Sequence, residues 1–132
     1  AGSGDLTAVY ETIRDKTQTE LALAINPSSP SERLEEYLNL IDYVMFLAVE
    51  PGYAHQPFDQ KVYQRIGAWR EKRPDWPIAV DGHVDRETIQ PLTRAGARML
   101  CANTAIFSRG DPVENLQQLR LLATAAQSIG SR

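Results

Sequence analysis

The chain has 132 residues, of which 42% are hydrophobic, and carries a formal charge of −3 with a pI near 5.4. That length suits one compact domain with its own core, and the interspersed acids and bases leave no basic stripe for a phosphate backbone, so nucleic acid is not an expected partner. The longest apolar run, Tyr43 to Val49, falls far short of the roughly 20 residues that span a bilayer, and a soluble, cytoplasmic protein is expected.

The opening AGSGD consists of small flexible residues, so residues 1–4 read as a leader left by cloning or cleavage, with a single domain over residues 5–132. Asp5 precedes Leu6, Val9, Tyr10 and Ile13, which share a helical face, and LALAI (Leu21 to Ile25) reads as a strand buried on both sides. Ser29-Pro30-Ser31-Glu32 has the arrangement of a capping box with proline at the first helical position. Leu34, Tyr37, Leu38 and Ile41 form the stripe of the helix behind it. The strand YVMFLAV then empties into the loop VEPGYAHQPF. Asp59 is placed to cap a helix with Val62, Ile66 and Trp69 inside, which closes before the strand IAV, Ile78 to Val80.

Asp81-Gly82-His83 follows that strand at once. Asp85 is placed as the cap of the next helix, which turns Ile89 and Leu92 inward and stops at Gly96. MLCA, Met99 to Ala102, is the fourth strand, and its lone Cys101 is expected as a small buried side chain rather than a reactive thiol. Asp111-Pro112 opens the last helix, lined by Leu116, Leu119, Leu122 and Ala123. The alternation predicts an α/β fold with parallel strands joined by right-handed crossovers, either a small doubly wound sheet or half of a (β/α)8 barrel. Both place ligands at the carboxyl ends of the strands. A doubly wound signalling module would call for an acidic pair at the end of the first strand, and LALAINP has none.

LALAINPSSP, VEPGYAHQPF, IAVDGHVDRETI and AGARMLCANTAIF together resemble, in order and spacing, the last four strand-loop units of the ribulose-phosphate 3-epimerase family of TIM barrels. The resemblance runs from Asp5 over nearly the whole chain and implies the parallel-stranded carboxyl-terminal half of such a barrel. It implies an epimerase of ketose phosphates that uses a divalent metal ion (Zn, Fe or Mn), with Asp81 as both metal ligand and acid/base carboxylate. Such chemistry wants a carboxylate there, because removing the proton beside a ketone gives an enediolate that a metal stabilises, while carboxylates on opposite faces exchange the proton.

The family grips phosphate with backbone N–H groups in glycine-rich turns, which implies binding roles for Gly52, Ala54, His55, Gly82, His83, Asn103 and Thr104. Several of these depart from the pattern. Ala54 and His55 stand in the first turn where glycines are usual, His83 replaces the second glycine of the next, and Asn103-Thr104 replaces Gly-Ser. Backbone donors survive such changes only where the dihedrals do, and Asn tolerates positive φ better than Ala or His. His55 and His83, the chain's only histidines, either aim an imidazole at an anion or face solvent. The turn at Asn26-Pro27 matches the family's and reads as a structural stop.

The family's Ser, two metal-binding His residues and second Asp come from its first four strands, which nothing here matches. A complete barrel needs about 250 residues. The chain is therefore expected to be inactive alone, with a catalytically lapsed homologue that binds a sugar phosphate or another anion as the alternative. Leu23, Met45, Leu47, Ala79 and Leu100 are taken as the inward set. Exposing them would favour a homodimer or higher oligomer.

Overall fold

The structure, a computed structural model, describes residues 6–52 and 56–130, so the expected leader lies outside the described residues. Helix α1 (Thr7–Lys16) anchors through Tyr10, whose ring is buried and whose hydroxyl donates to the Ala22 carbonyl at 3.0 Å. Leu6 and Ile13 pack beside it, whereas Val9 stands at the margin of the stripe and is 54% exposed.

The four strands β1 (Ala22–Ile25), β2 (Tyr43–Leu47), β3 (Ile78–Asp81) and β4 (Met99–Cys101) form one parallel sheet in the order β1-β2-β3-β4. Each return is made by a helical segment laid over the same face: a 3-10 helix (Ser31–Tyr37), α2 (Lys61–Lys72) and α3 (Ile89–Ala95). After β4 come a short α4 (Thr104–Phe107) and the long α5 (Pro112–Gly130). Among the described residues no helix is long and apolar enough to cross a membrane.

Register decides which side chains meet the helices. Leu23 pairs with Val44 and Val44 with Ile78; Ile25 pairs with Phe46, Phe46 with Val80, and Val80 with Leu100. These residues share the covered face, where Val44, Phe46, Ile78 and Val80 lie at 0% exposure. Phe46 meets Trp69 of α2 edge-on at 6.4 Å, and Ile66 and Leu92 complete the contact. Burying each such side chain stabilises by about 1.5–3 kcal/mol.

The opposite face carries Ala24, Met45, Ala79 and Met99 in one paired row and Leu47, Asp81 and Cys101 in the next. Two of the five expected inward residues, Leu23 and Leu100, therefore belong to the helix side and pack against the core. Strand β1 is likewise covered on one side only, with Ala24 exposed. Ala24 shares the open face with Met45 of the interior strand β2, so LALAI is apolar on both sides without being buried on both.

Most of the expected caps form. Asp59 accepts from the Lys61 N–H at 3.0 Å, Asp111 accepts from the Val113 N–H at 3.0 Å, and Pro112 is the first residue of α5. The box at Ser29–Glu32 does not form. Pro30 flanks the 3-10 helix without a side-chain cap, and the Ser29 carbonyl accepts instead from Arg65 of α2, at 2.5 Å. Leu34 still reaches the core at 1% exposure, so the stripe survives the change of helix type. On α5, Leu119 is buried, but Leu116 is 43% exposed beside Ile106 and Ala102 along the open side of β4.

At the amino-terminal ends of the strands, side chains tie the loops together. The Arg70 guanidinium donates to the carbonyls of Arg73, Pro74, Trp76 and Gly96. The Asp42 carboxylate accepts from the Leu21 N–H and from Arg14, each at 2.8 Å.

Candidate functional site

The carboxyl ends of the strands carry the residues singled out by the sequence. Asp81 is the last residue of β3 and is exposed on the uncovered face, between Leu47 on one side and Cys101 on the other. Its main chain is fixed: the Ala48 N–H donates to the Asp81 carbonyl at 2.9 Å. Its carboxylate is thus presented from rigid backbone toward the space that the helices do not fill.

The turn that follows is built for close approach. Gly82 has φ +112°, and a Cβ there would lie 3.1 Å from the Val49 side chain and 3.3 Å from the Val49 nitrogen. His83 has φ +50°, so it holds a left-handed conformation that glycine adopts at less cost. A positive φ is thus kept at this position with histidine in place of glycine.

The cause lies five residues on. The Thr88 hydroxyl donates to the His83 carbonyl at 2.7 Å and accepts from the Asp85 N–H at 3.0 Å, while Asp85 accepts from the N–H groups of Glu87 and Thr88. Asp85 is therefore the cap, as its position suggested, and Asp81 remains free of that structural duty. Thr88 is a support that sequence reasoning passed over: it makes the reciprocal bonds of a capping box with Asp85, but with threonine where the usual signature has Glu or Gln.

The other turns differ. Gly52 has φ +101° with open space around it, and the loop's return is pinned where the Asp59 N–H donates to the Ala48 carbonyl at 2.7 Å. Ala54 and His55 lie outside the described residues. Asn103 does not use the left-handed region; at φ −128° it precedes α4, and its carbonyl accepts from the Ile106 and Phe107 N–H groups. Thr104 follows it, exposed, as the first residue of α4. Asn26-Pro27 is a structural stop as expected: Arg65 donates to both carbonyls, with its guanidinium 5.4 Å over the Phe46 ring.

Cys101 is exposed rather than buried, because the alternation that turns Leu100 to the helices turns Cys101 to the open face beside Asp81. Burial, and after it the charge of Asp81, push its thiol above the ordinary value, which keeps it protonated and a poor nucleophile.

Among the described residues no three His, Cys, Asp or Glu side chains converge to hold a metal ion. Asp81 can offer one carboxylate to a divalent ion, and among the described residues no closed metal site is built around it. The arrangement as it stands is a carboxylate at a rim of backbone turns, facing an open space.

Residues 4–107 match the family described as "Ribulose-phosphate 3 epimerase family". The ribulose-phosphate 3-epimerase of Candida glabrata is 32% identical over 86% of this chain and 50% of its own length. The cytoplasmic isoform from rice, Oryza sativa subsp. japonica, is 29% identical over 97% of this chain and 62% of its own. The chain thus spans about half the length of the curated relatives it matches. Among solved structures, orotidine 5'-monophosphate decarboxylase from Sulfolobus solfataricus superposes with a TM-score of 0.66 at 13% identity, over 96% of this chain and 58% of that one. At that identity the likeness bears on the fold alone. The fold is that of a TIM barrel, of which four parallel strand-helix units in sequence order are half.

Proposed function

The chain belongs to the ribulose-phosphate 3-epimerase family, and from that premise we propose that the intact protein epimerises a phosphorylated ketose, ribulose 5-phosphate or a close analogue, at the carbon next to the ketone. Asp81 is the carboxylate that takes or returns the proton on one face of the substrate. Its partner carboxylate belongs to the half of the relatives' length that this chain does not span. The observation that carries this reading is the placement of Asp81, which is exposed on the uncovered face, excused from capping by Asp85, and followed directly by a left-handed turn.

The turns around it bind the phosphate in this proposal: Gly82 and His83 after β3, Gly52 with Ala54 and His55 after β2, and Asn103 and Thr104 after β4. A divalent metal ion, when bound with Asp81 as one ligand, would stabilise the enediolate. What the chain's own residues do is hold a carboxylate in line and keep backbone donors aimed at an anion.

The 132-residue chain alone is inactive in this reading, for want of a second carboxylate. Its uncovered apolar row draws copies together into a homodimer or higher oligomer, and a stable monomer in sedimentation at high dilution would count against that association. The absence of membrane-spanning helices among the described residues and the name of the rice relative support a cytoplasmic location.

The test is turnover of ribulose 5-phosphate by the intact protein beside its Asp81→Asn variant. Turnover in the first and a loss of at least a hundredfold in the second is expected, since general acid/base groups contribute about 10²–10⁴. No turnover in either would favour the lapsed homologue that binds a sugar phosphate, which the replaced glycines suggest and the retained φ at His83 argues against.

A further inference from the structure

Opposite the rim, at the amino-terminal ends of β3 and β4, a cavity of about 190 Å³ is lined by Arg70, Thr93, Arg94, Gly96, Arg98 and Gln127, with Ala95 at its edge. That is roughly six times the ~30 Å³ share of a liquid water molecule. Three guanidinium groups surround it, and like charges so placed repel unless an anion lies among them.

Their partners are unequal. The Nη atoms of Arg70 are spent on four carbonyls, but its Nε is buried without an acceptor. Among the described residues the guanidinium groups of Arg94 and Arg98 have neither an ion pair nor a hydrogen bond. Asp75 is the one acid that bears on Arg70, whose pKa is lowered by burial and next by the charge of Arg98. Gly96 clears the floor, because at φ +126° it carries no Cβ, and one added there would lie 2.8 Å from Arg70 Nε. The carbonyl of Gly96, which would repel an anion at the end of α3, is already taken by Arg70 at 2.6 Å. The Thr93 hydroxyl is spent on the Ile89 carbonyl, leaving Gln127 as the remaining neutral donor.

We propose that this cavity binds a tetrahedral oxyanion, a phosphate or the phosphate group of an ester, held by the forks of the exposed Arg94 and Arg98, with the Gln127 amide as a further donor. Guanidinium forks match phosphate oxygens two at a time, which suits a compact dianion. The site lies at the end of the strands away from Asp81 and ties α2, α3 and α5 together, so its occupancy stabilises the domain without touching the rim.

The test uses the 132-residue chain and its tryptophan fluorescence on heating, with inorganic phosphate against chloride at equal ionic strength. In phosphate the unfolding midpoint is expected to rise by a few degrees as the ligand exceeds its dissociation constant. Arg94→Gln/Arg98→Gln should weaken the apparent affinity at least tenfold, while Arg33→Gln, at an exposed arginine of the 3-10 helix outside the cavity, keeps the full response. If the double variant does not fold, Arg94→Gln and Arg98→Gln singly are each expected to lose part of it. The same scans with ribulose 5-phosphate identify the source: a tighter response that still depends on Arg94 and Arg98 marks a phosphate ester, an equal or weaker one marks free phosphate. The proposal is overturned if phosphate does no more than chloride. It is equally overturned if Arg94→Gln/Arg98→Gln folds and responds to phosphate in full.

Discussion

The two faces of the sheet are made by alternate residues of the same strands and have little else in common. Phe46 points to the helices at 0% exposure, held by Trp69 and Arg65, while its neighbour Met45 points the other way in the row Ala24, Met45, Ala79, Met99. The covered face is large, branched and finished. The uncovered face alternates small and long side chains across neighbouring strands, the pattern that interdigitating layers of a barrel interior use, and it ends in the polar row containing Asp81. One face holds the domain together; the other belongs to a surface whose second side is elsewhere.

Consecutive residues allow that contrast to be broken. Phe46→Ala is expected to cost about 3–5 kcal/mol in urea unfolding, whereas Met45→Ala should cost less than about 1 kcal/mol at dilutions where copies are dissociated, because little of its own chain is buried over it. Equal losses would mean that the open face is covered in solution. The next largest effect is at the rim: Gly82→Ala forces a Cβ against Val49 in a left-handed backbone and should cost about 1–3 kcal/mol. His83→Gly, which relieves the same kind of conformation, should change stability by less than about 1 kcal/mol.

The two ends of the strands give a smaller and pH-dependent contrast. The Leu21 N–H, and after it Arg14, hold the Asp42 carboxyl below the ordinary aspartate value. Because the folded value is depressed, this contribution is present above the unfolded value and is lost as pH falls through the folded one. Asp42→Ala is expected to cost about 1 kcal/mol at neutral pH and to flatten the acid limb of a stability-against-pH curve. Asp81→Asn should move the urea midpoint at neutral pH by an amount equivalent to less than about 0.5 kcal/mol. A larger change would show that Asp81 has a structural partner and would weaken its assignment to chemistry.

Much of this was legible from local chemistry. Short apolar runs separated by Asp59, Asp85 and Asp111 caps located the strands and most helices, and Gly96 ended α3 where its positive φ allowed. The spacing of Asp81 and Asp85 separated the exposed carboxylate from the capping one. Legibility failed where a distant side chain intervened. Arg65 took the Ser29 carbonyl from across the sheet's cover, and the segment behind Pro30 wound as a 3-10 helix instead of closing a capping box. Thr88 set the backbone of His83 through a hydrogen bond that no local preference of histidine predicts.

Facing was the other failure, and its reason is geometric. A strand's alternation says that Leu100 and Cys101 look opposite ways, but not which of them looks toward the helices, since both are apolar enough for either side. Only pairing across four strands answers that, by placing Leu100 in line with Val80 and Phe46 and Cys101 in line with Asp81. Fold class follows from residue order, because caps, turns and apolar periods act over a few residues, whereas the half-barrel and the role expected of Asp81 followed from the family resemblance. Which face is covered, what steadies the rim turn, and the gathering of Arg70, Arg94 and Arg98 around one cavity follow from tertiary structure, because each depends on residues that meet only after the chain has crossed over itself.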